Sequence, residues 1–191
     1  MSHKAQVRFC KSIKRKFPDY FCRKKVIDVG SMDINGNNRR FFYRCNYVGV
    51  DIVDGRNVNI VGVAHEVIHS IFYEMVFKDG KLILTPNVDT IISTEALEHD
   101  RYYKQTLEAM YYSLRPGGLL VITCAGVGRE EHGTTDNNAW CSPGTNDYYK
   151  NITNEMFADI LPAQLFDVYH LEQYNKGKDR DLQFFGIKKA A

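Results

Sequence analysis

The 191-residue sequence predicts an α/β fold in which a mostly parallel open sheet ends in an antiparallel edge. Three observations carry this reading. The run Val26-Ile27-Asp28-Val29-Gly30 is short, apolar and closed by an acid and a glycine, and Tyr47-Val48-Gly49-Val50-Asp51-Ile52 is a second apolar run with an acid near its end. Further apolar runs then alternate with helical patterns through the middle of the chain. Two last runs, residues 165–171 and 182–187, are joined by a short connection and so form the antiparallel edge.

The elements follow in order. Residues 3–17 read as a basic helix with Val7, Phe9, Cys10, Ile13 and Phe17 available to one side, ended by Pro18. The first strand covers 25–29, a short helix 37–44, the second strand 47–52 and the third 58–63. Residues 65–75 have a helical pattern, and 76–84 read as a hairpin about Lys78-Asp79-Gly80-Lys81. The fourth strand spans 88–93. A helix over 100–114 presents Tyr103, Leu107, Met110, Tyr111 and Leu114 as one stripe, and Arg115-Pro116-Gly117-Gly118 stops it. The fifth strand, 119–124, is apolar apart from Thr123, as befits a strand buried on both faces. Thr153 caps a helix running to 161.

Length and composition place the whole chain, 1–191, in one globular domain: 44% of residues are hydrophobic and no linker or repeat interrupts them. The formal charge of +2 is too small to argue for nucleic acid, but it is unevenly spread. Residues 1–25 hold nine Lys or Arg against the single acid Asp19, either as a solvated helix face or as a patch for an anionic partner. The five cysteines form no C-x-x-C pair and read as reduced thiols. No run reaches membrane-spanning length and no signal-peptide pattern opens the chain, so a cytoplasmic location without membrane partners is expected.

Sheets of this kind bind ligands at the carboxyl ends of their strands. Gly30 lets backbone approach a ligand, Asn35-Gly36 suits a tight turn, and Asp51, about 20 residues on, is placed to accept from ribose hydroxyls. The dinucleotide spacing G-x-G-x-x-G is absent, as is any Gly-Lys-Ser or Gly-Lys-Thr phosphate loop. S-adenosylmethionine, with a ribose and no phosphate, fits this pattern; a plain strand-to-helix turn is the alternative.

Four stretches, Val26 to Gly36, Tyr47 to Asp51, Val88 to His99 and Leu114 to Thr123, together resemble class I S-adenosylmethionine-dependent methyltransferases. The sequence is similar in particular to bacterial and viral members with Asp-Val-Gly-Ser at the first motif and Glu-His-Gly and Asn-Asp-Tyr-Tyr after the fifth strand, as at Glu131-His132-Gly133 and Asn146-Asp147-Tyr148-Tyr149. The resemblance implies a three-layer Rossmann-like fold with a seven-stranded, mostly parallel sheet. It also implies that Asp28, Gly30 and Ser31 surround the methionine end of the cofactor, that Asp51 holds the ribose and that Ile52 packs on adenine. Asn35 and Ser93 are counted with them. Position 63, often an acid in relatives, is Val63 here, which leaves the backbone amides of Ala64 and His65 to read the adenine edge and removes about 1 kcal/mol for one hydrogen bond.

Glu95, Glu98 and His99 stand at i, i+3 and i+4 and share a face if residues 95–99 are helical. With His132 they form a candidate site for a divalent metal, Mg²⁺ or Mn²⁺ by their oxygen-rich donors, with Zn²⁺ as the alternative. The run resembles the Glu-x-x-Glu-His of small-RNA 2′-O-methyltransferases and of ubiquinone-pathway O-methyltransferases. Without metal, His99 or His132 is the candidate catalytic base, with an ordinary pKa near 6.5. Residues 126–151, long and polar with Arg129, His132, Trp140, Asn146, Tyr148 and Tyr149, form a candidate substrate lid or a packed surface loop.

The function expected is methyl transfer to an oxygen of a small molecule or of a glycan-precursor sugar. An RNA 2′-O-methyltransferase is favoured by the basic N-terminus and the Glu-x-x-Glu-His run and disfavoured by the small net charge. A non-catalytic binding protein of the same fold is supported only by Val63, and a metallohydrolase is opposed by the intact first motif.

Overall fold

The computed structural model describes residues 3–190. Helix α1 (Lys4–Lys16) leads through a 3₁₀ turn at Pro18–Phe21 into β1 (Lys25–Val29). Strands β2 (Asn46–Asp51) and β3 (Ile60–Val61), helix α2 (Ala64–Val67) and the hairpin β4 (Tyr73–Lys78)–β5 (Lys81–Pro86) follow. The chain continues through β6 (Val88–Thr94), α3 (Tyr103–Ser113), β7 (Leu114–Ala125), α4 (Asn154–Ile160), β8 (Phe166–Lys176) and β9 (Asp179–Lys188). Seven strands form one sheet in the order β3-β2-β1-β6-β7-β9-β8, and β4-β5 stands apart. The expected fold class is what is found: β3, β2, β1, β6 and β7 are parallel neighbours, while β9 runs antiparallel to both β7 and the edge strand β8.

The central strands are apolar on both sides, and successive residues enter opposite cores. Ile27, Val29, Ile91, Leu120, Ile122 and Phe184 pack with Leu107 and Met110 of α3 and Phe157 of α4. Val26, Ile92, Leu119, Val121 and Phe185 pack with Phe9, Cys10 and Ile13 of α1. This period-2 division is the physical content of a three-layer sandwich.

Several boundaries differ from the sequence reading, and the last two strands, expected over 165–171 and 182–187, extend over Phe166–Lys176 and Asp179–Lys188. The helix expected over 37–44 is one 3₁₀ turn, Asn38–Phe41. Asn38 turns inward to donate to Asp28 (2.9 Å) and Thr94 (3.0 Å), and Tyr43 leaves the turn to bridge Cys22, which pulls the chain out of helix. The helix over 65–75 ends after α2 and the turn Ile68–Ser70. From Tyr73 on, β-branched and aromatic residues pair with β5, so cross-strand packing overrides the helical pattern. The hairpin itself is found, longer than expected, and turns at Asp79-Gly80 with φ of 50° and 76°, a type I′ geometry. The third strand shrinks to two residues at the sheet edge.

The Arg115-Pro116-Gly117-Gly118 run ends α3 as expected and lies within β7 as a bulge. Leu114 pairs with Val88 and Leu119 with Thr90, so the residues between loop out, with Gly117 at φ +71°. Asp100 holds the start of α3 by accepting from the Tyr102 amide (2.7 Å) and the Thr106 hydroxyl (2.5 Å). Thr153 caps α4 as expected, accepting from the Met156 amide at 3.2 Å.

Leu107 lies at the centre of the α3 contact and is fully buried. Leu107→Ala should cost about 2–5 kcal/mol, read as a lower denaturant midpoint at unchanged slope.

Candidate functional site

Strand order reverses between β1 and β6, and at their carboxyl ends lies a cavity of about 250 Å³. β1 gives it Asp28, Val29 and the turn after them, β2 gives Val50 and Asp51, and β6 gives Thr94. The turn exists because Gly30 takes φ +73° with its amide bonded to the Val50 carbonyl (2.9 Å). A side chain here would begin 2.2 Å from the Cβ of Ala96, so the chain after β6 presses directly on the turn. Asp33 braces the rest of the turn, accepting from the Gly36 amide (2.7 Å) and Asn37 (2.7 Å) and pairing with Arg56 (2.9 Å). Burial alone would raise its pKa, but these bonds and Arg56 hold it low.

Asp51 stands at the tip of β2 with one oxygen on the Met32 amide (2.9 Å) and its carboxylate facing the cavity, burial holding its pKa up. Asp28 lies deeper. It accepts from the Tyr47 hydroxyl and from Asn38, and burial raises it to about 7 despite both bonds. Asn38 in turn takes a bond from Gln6 of α1 (3.4 Å), so four elements meet beneath the cavity.

Of the residues the sequence assigned to the cofactor, Asp28, Gly30, Ser31, Asn35, Asp51, Ile52 and Ala64 line the cavity. Ser93 and His65 do not. Ser93 is buried between strands with its hydroxyl on the Val29 carbonyl (2.9 Å), and His65 packs against Tyr102 with ring centroids 5.0 Å apart. Residues 141–146 form one wall. Gly144 sits so close that a Cβ would lie 2.6 Å from Val53 and 3.4 Å from Ile52. Trp140, grouped with the lid, is 64% exposed.

The proposed Glu95, Glu98, His99, His132 cluster divides in two. Residues 95–99 are not a helical turn: Glu95 has φ +54° and only Leu97–His99 form a 3₁₀ turn, so the i, i+3, i+4 geometry fails. Glu98, His99 and His132 do come together, with ligand atoms within 4.8 Å of one another and the imidazoles edge to face at 5.1 Å. Tyr149 packs on both rings, at 5.5 and 5.1 Å. Glu98 is fully buried with no hydrogen-bond partner on either oxygen among the described residues, and its pKa is raised to about 8 by burial and then by Glu95. Burial and His132 push His99 down to about 4. His99 alone of the three lines the cavity.

Glu95 belongs to a second triad with His3 and Asp181. His3 Nε2 lies 3.2 Å from Glu95 and 3.3 Å from Asp181, and Arg129 reaches the same acids at 3.7 and 2.6 Å. The His3 ring N–H groups are not directed at an oxygen, so these contacts are ion pairs and not aligned hydrogen bonds. Burial alone would depress His3, but Asp181 and Glu95 outweigh it and raise it to about 9. Burial would raise Glu95, yet His3 and Arg129 bring it to about 2.

The sequence reading missed Gln6, Asn38, Thr94 and His3. The signal available was topological: a β1–β2 connection too short for a full helix leaves one sheet face bare, and only the N-terminal segment can cover it. Part of that segment's basic charge serves this packing. Lys14 donates to the Phe41 carbonyl, Lys24 lies 3.9 Å from Asp89, and Lys16 lies 4.7 Å from the Phe185 ring centroid.

A methyltransferase-domain family model matches residues 1–170. No curated protein matches the chain in sequence. Its fold is similar to that of a Burkholderia thailandensis 1,6-didemethyltoxoflavin-N1-methyltransferase solved with S-adenosylhomocysteine, at TM-score 0.60 and 16% identity over 97% of this chain and 79% of that one. A Haemonchus contortus phosphoethanolamine N-methyltransferase 2, also holding S-adenosylhomocysteine, is similar at TM-score 0.60 and 15% identity, over 98% of this chain but 52% of its own length. An Archaeoglobus fulgidus S-adenosylmethionine-dependent methyltransferase is similar at 0.55 and 16%, over 95% and 94%.

The His3 triad has a signed pH dependence. Since the folded pKa of His3 is raised to about 9 from an ordinary 6.5, its contribution to stability is complete below pH 6.5 and is lost as pH rises through 9. Wild type and His3→Gln should therefore differ most in denaturant midpoint at pH 6 and converge near pH 9.5. A constant gap would show that the ion pairs do not contribute.

Proposed function

Because the chain belongs to the methyltransferase-domain family, we propose that it transfers a methyl group from S-adenosylmethionine to an oxygen of a small molecule or of a sugar in a glycan precursor. The observation that carries this reading is the pairing of the tight Gly30 turn with the Asp51 carboxylate across one cavity at the strand ends. S-adenosylmethionine, when bound, supplies an activated sulfonium donor, so the protein's work is positioning and proton removal.

Asp51 would accept from the ribose hydroxyls, its own geometry fixed by the Met32 amide. Ile52 and Ala64 would flank the adenine, and Gly30 and Ser31 would lie along the methionine end. His99, neutral at physiological pH because burial opposes its charge, opens on the cavity and would take the acceptor proton. Tyr149 and His132 orient it by packing. The loop over 126–151 would act as the lid, since residues 141–146 already close one side.

A metal-assisted version has one observation in its favour. Glu98, His99 and His132 bring together buried donor atoms that have no hydrogen-bond partner among the described residues, which is what a divalent ion would satisfy. With Glu95 in the other triad, two imidazoles and one carboxylate favour Mn²⁺ over Mg²⁺. There the ion would act as a Lewis acid on the acceptor hydroxyl. RNA as acceptor is weakened by the basic residues spent on packing α1.

Asp51→Ala should weaken S-adenosylmethionine by about 1.5–3 kcal/mol in calorimetric titration. An unchanged dissociation constant would remove Asp51 from the cofactor site, and no binding by the wild type would favour a non-catalytic protein of this fold. For the chemistry, His99→Ala should cut S-adenosylhomocysteine release from a panel of hydroxylated acceptors by about 10²–10⁴ with cofactor affinity unchanged. Turnover restricted to amines would overturn the oxygen assignment. Titration of Mn²⁺ into wild type and Glu98→Gln separates the two versions, since heat lost in the variant assigns the triad to an ion.

A further inference from the structure

Among the described residues the hairpin β4–β5 joins no other strand, and one of its faces is apolar throughout. Tyr73, Met75 and Phe77 alternate onto that face, and their cross-strand partners Pro86, Leu84 and Leu82 share it. All five large side chains are exposed: Tyr73 36%, Met75 69%, Phe77 74%, Leu82 63% and Leu84 67%. Glu74 and Lys81 alternate onto the opposite face, so no charge interrupts the patch.

We propose that this face is a self-docking surface through which two copies of the chain pair, hairpin on hairpin. The patch offers on the order of 500 Å² of apolar area, in the upper part of the range for the largest patch on a monomer, where such patches are often functional. Two copies face to face would remove about 1,000 Å², the threshold of a specific interface and the range of a reversible dimer. An isologous contact asks only that a surface be complementary to itself, and an uncharged face brings no like charges together. A lone two-stranded hairpin is marginal in water, so covering it also stabilises it. The charged residues in the hairpin sequence, Glu74, Lys78, Asp79 and Lys81, are two of each sign, and this lack of net positive charge does not suit an anionic lipid surface.

The dimer would leave the cavity free. β5 runs directly into the start of β6 at Val88, whereas the cavity lies at the carboxyl ends of the strands. Pairing therefore does not depend on the reaction proposed above, and its loss would not by itself disturb cofactor binding.

Sedimentation velocity of the full chain from about 1 to about 200 µM should show a monomer–dimer equilibrium. The variant Met75→Thr/Phe77→Thr/Leu84→Thr, which keeps strand-forming residues, should raise the dimer dissociation constant at least about tenfold. Its circular dichroism and S-adenosylmethionine affinity should remain those of wild type. A wild type that stays monomeric, or a folded variant that dimerises equally well, would overturn the proposal. So would flotation of a monomeric wild type with phosphatidylcholine–phosphatidylglycerol vesicles, which would make the face a lipid contact. Hydrogen exchange on the unsubstituted protein reads the same contact should the variant misfold: protection over 73–86 must rise with concentration, and flat protection overturns the dimer.

Discussion

The buried carboxylate of Asp28 is the constraint around which the site is arranged. It lies in β1 near the middle of the sheet, where an unsatisfied acid would cost several kcal/mol. Tyr47 from β2 and Asn38 from the turn between the two strands satisfy it. Asn38 also bonds to Thr94 at the end of β6 and to Gln6 of α1. One polar network thus ties α1, β1, β2 and β6 together directly beneath the cavity. Its members cannot move independently, because each would leave a buried partner unpaired.

That network explains the spare architecture between β1 and β2. A full crossover helix would carry Asn38 away from Asp28, so a single 3₁₀ turn replaces it, and α1 covers the face that the missing helix would have covered. The N-terminus of α1 is fixed in turn by His3 between Glu95 and Asp181, with Arg129 reaching the same acids from the loop after β7. The segment that begins the chain and the loop that walls the cavity are therefore held by the same pair of carboxylates.

The two triads show how backbone geometry sorts identical chemistry. Glu95 and Glu98 are three residues apart, yet a left-handed Glu95 directs its carboxylate to the cations while the 3₁₀ turn directs Glu98 to the imidazoles. Glu95 is held low because His3 and Arg129 outweigh its burial, and Glu98 is pushed up by burial and then by the neighbouring Glu95. The difference is one of environment, since the side chains are the same.

The sequence alone determined the sheet and the cavity's main wall. The apolar runs of β1, β2, β6 and β7 are legible because strands buried on both faces leave no polar alternation, and the Gly30 turn and Asp51 are legible because their spacing is local. The Thr153 cap and the Asp79-Gly80 turn were readable for the same reason: each is a property of a few neighbouring residues. What only tertiary structure decided depended on partners distant in sequence. Asn38 became a network residue instead of a helix residue, and Tyr73 to Lys78 became a strand because β5 was there to pair with it. Ser93 and His65 were drawn into packing, Glu95 was separated from Glu98, and His3 met two acids more than ninety residues away. Helical spacing predicts which side chains share a face only while the backbone is helical, and at Glu95 the backbone is left-handed.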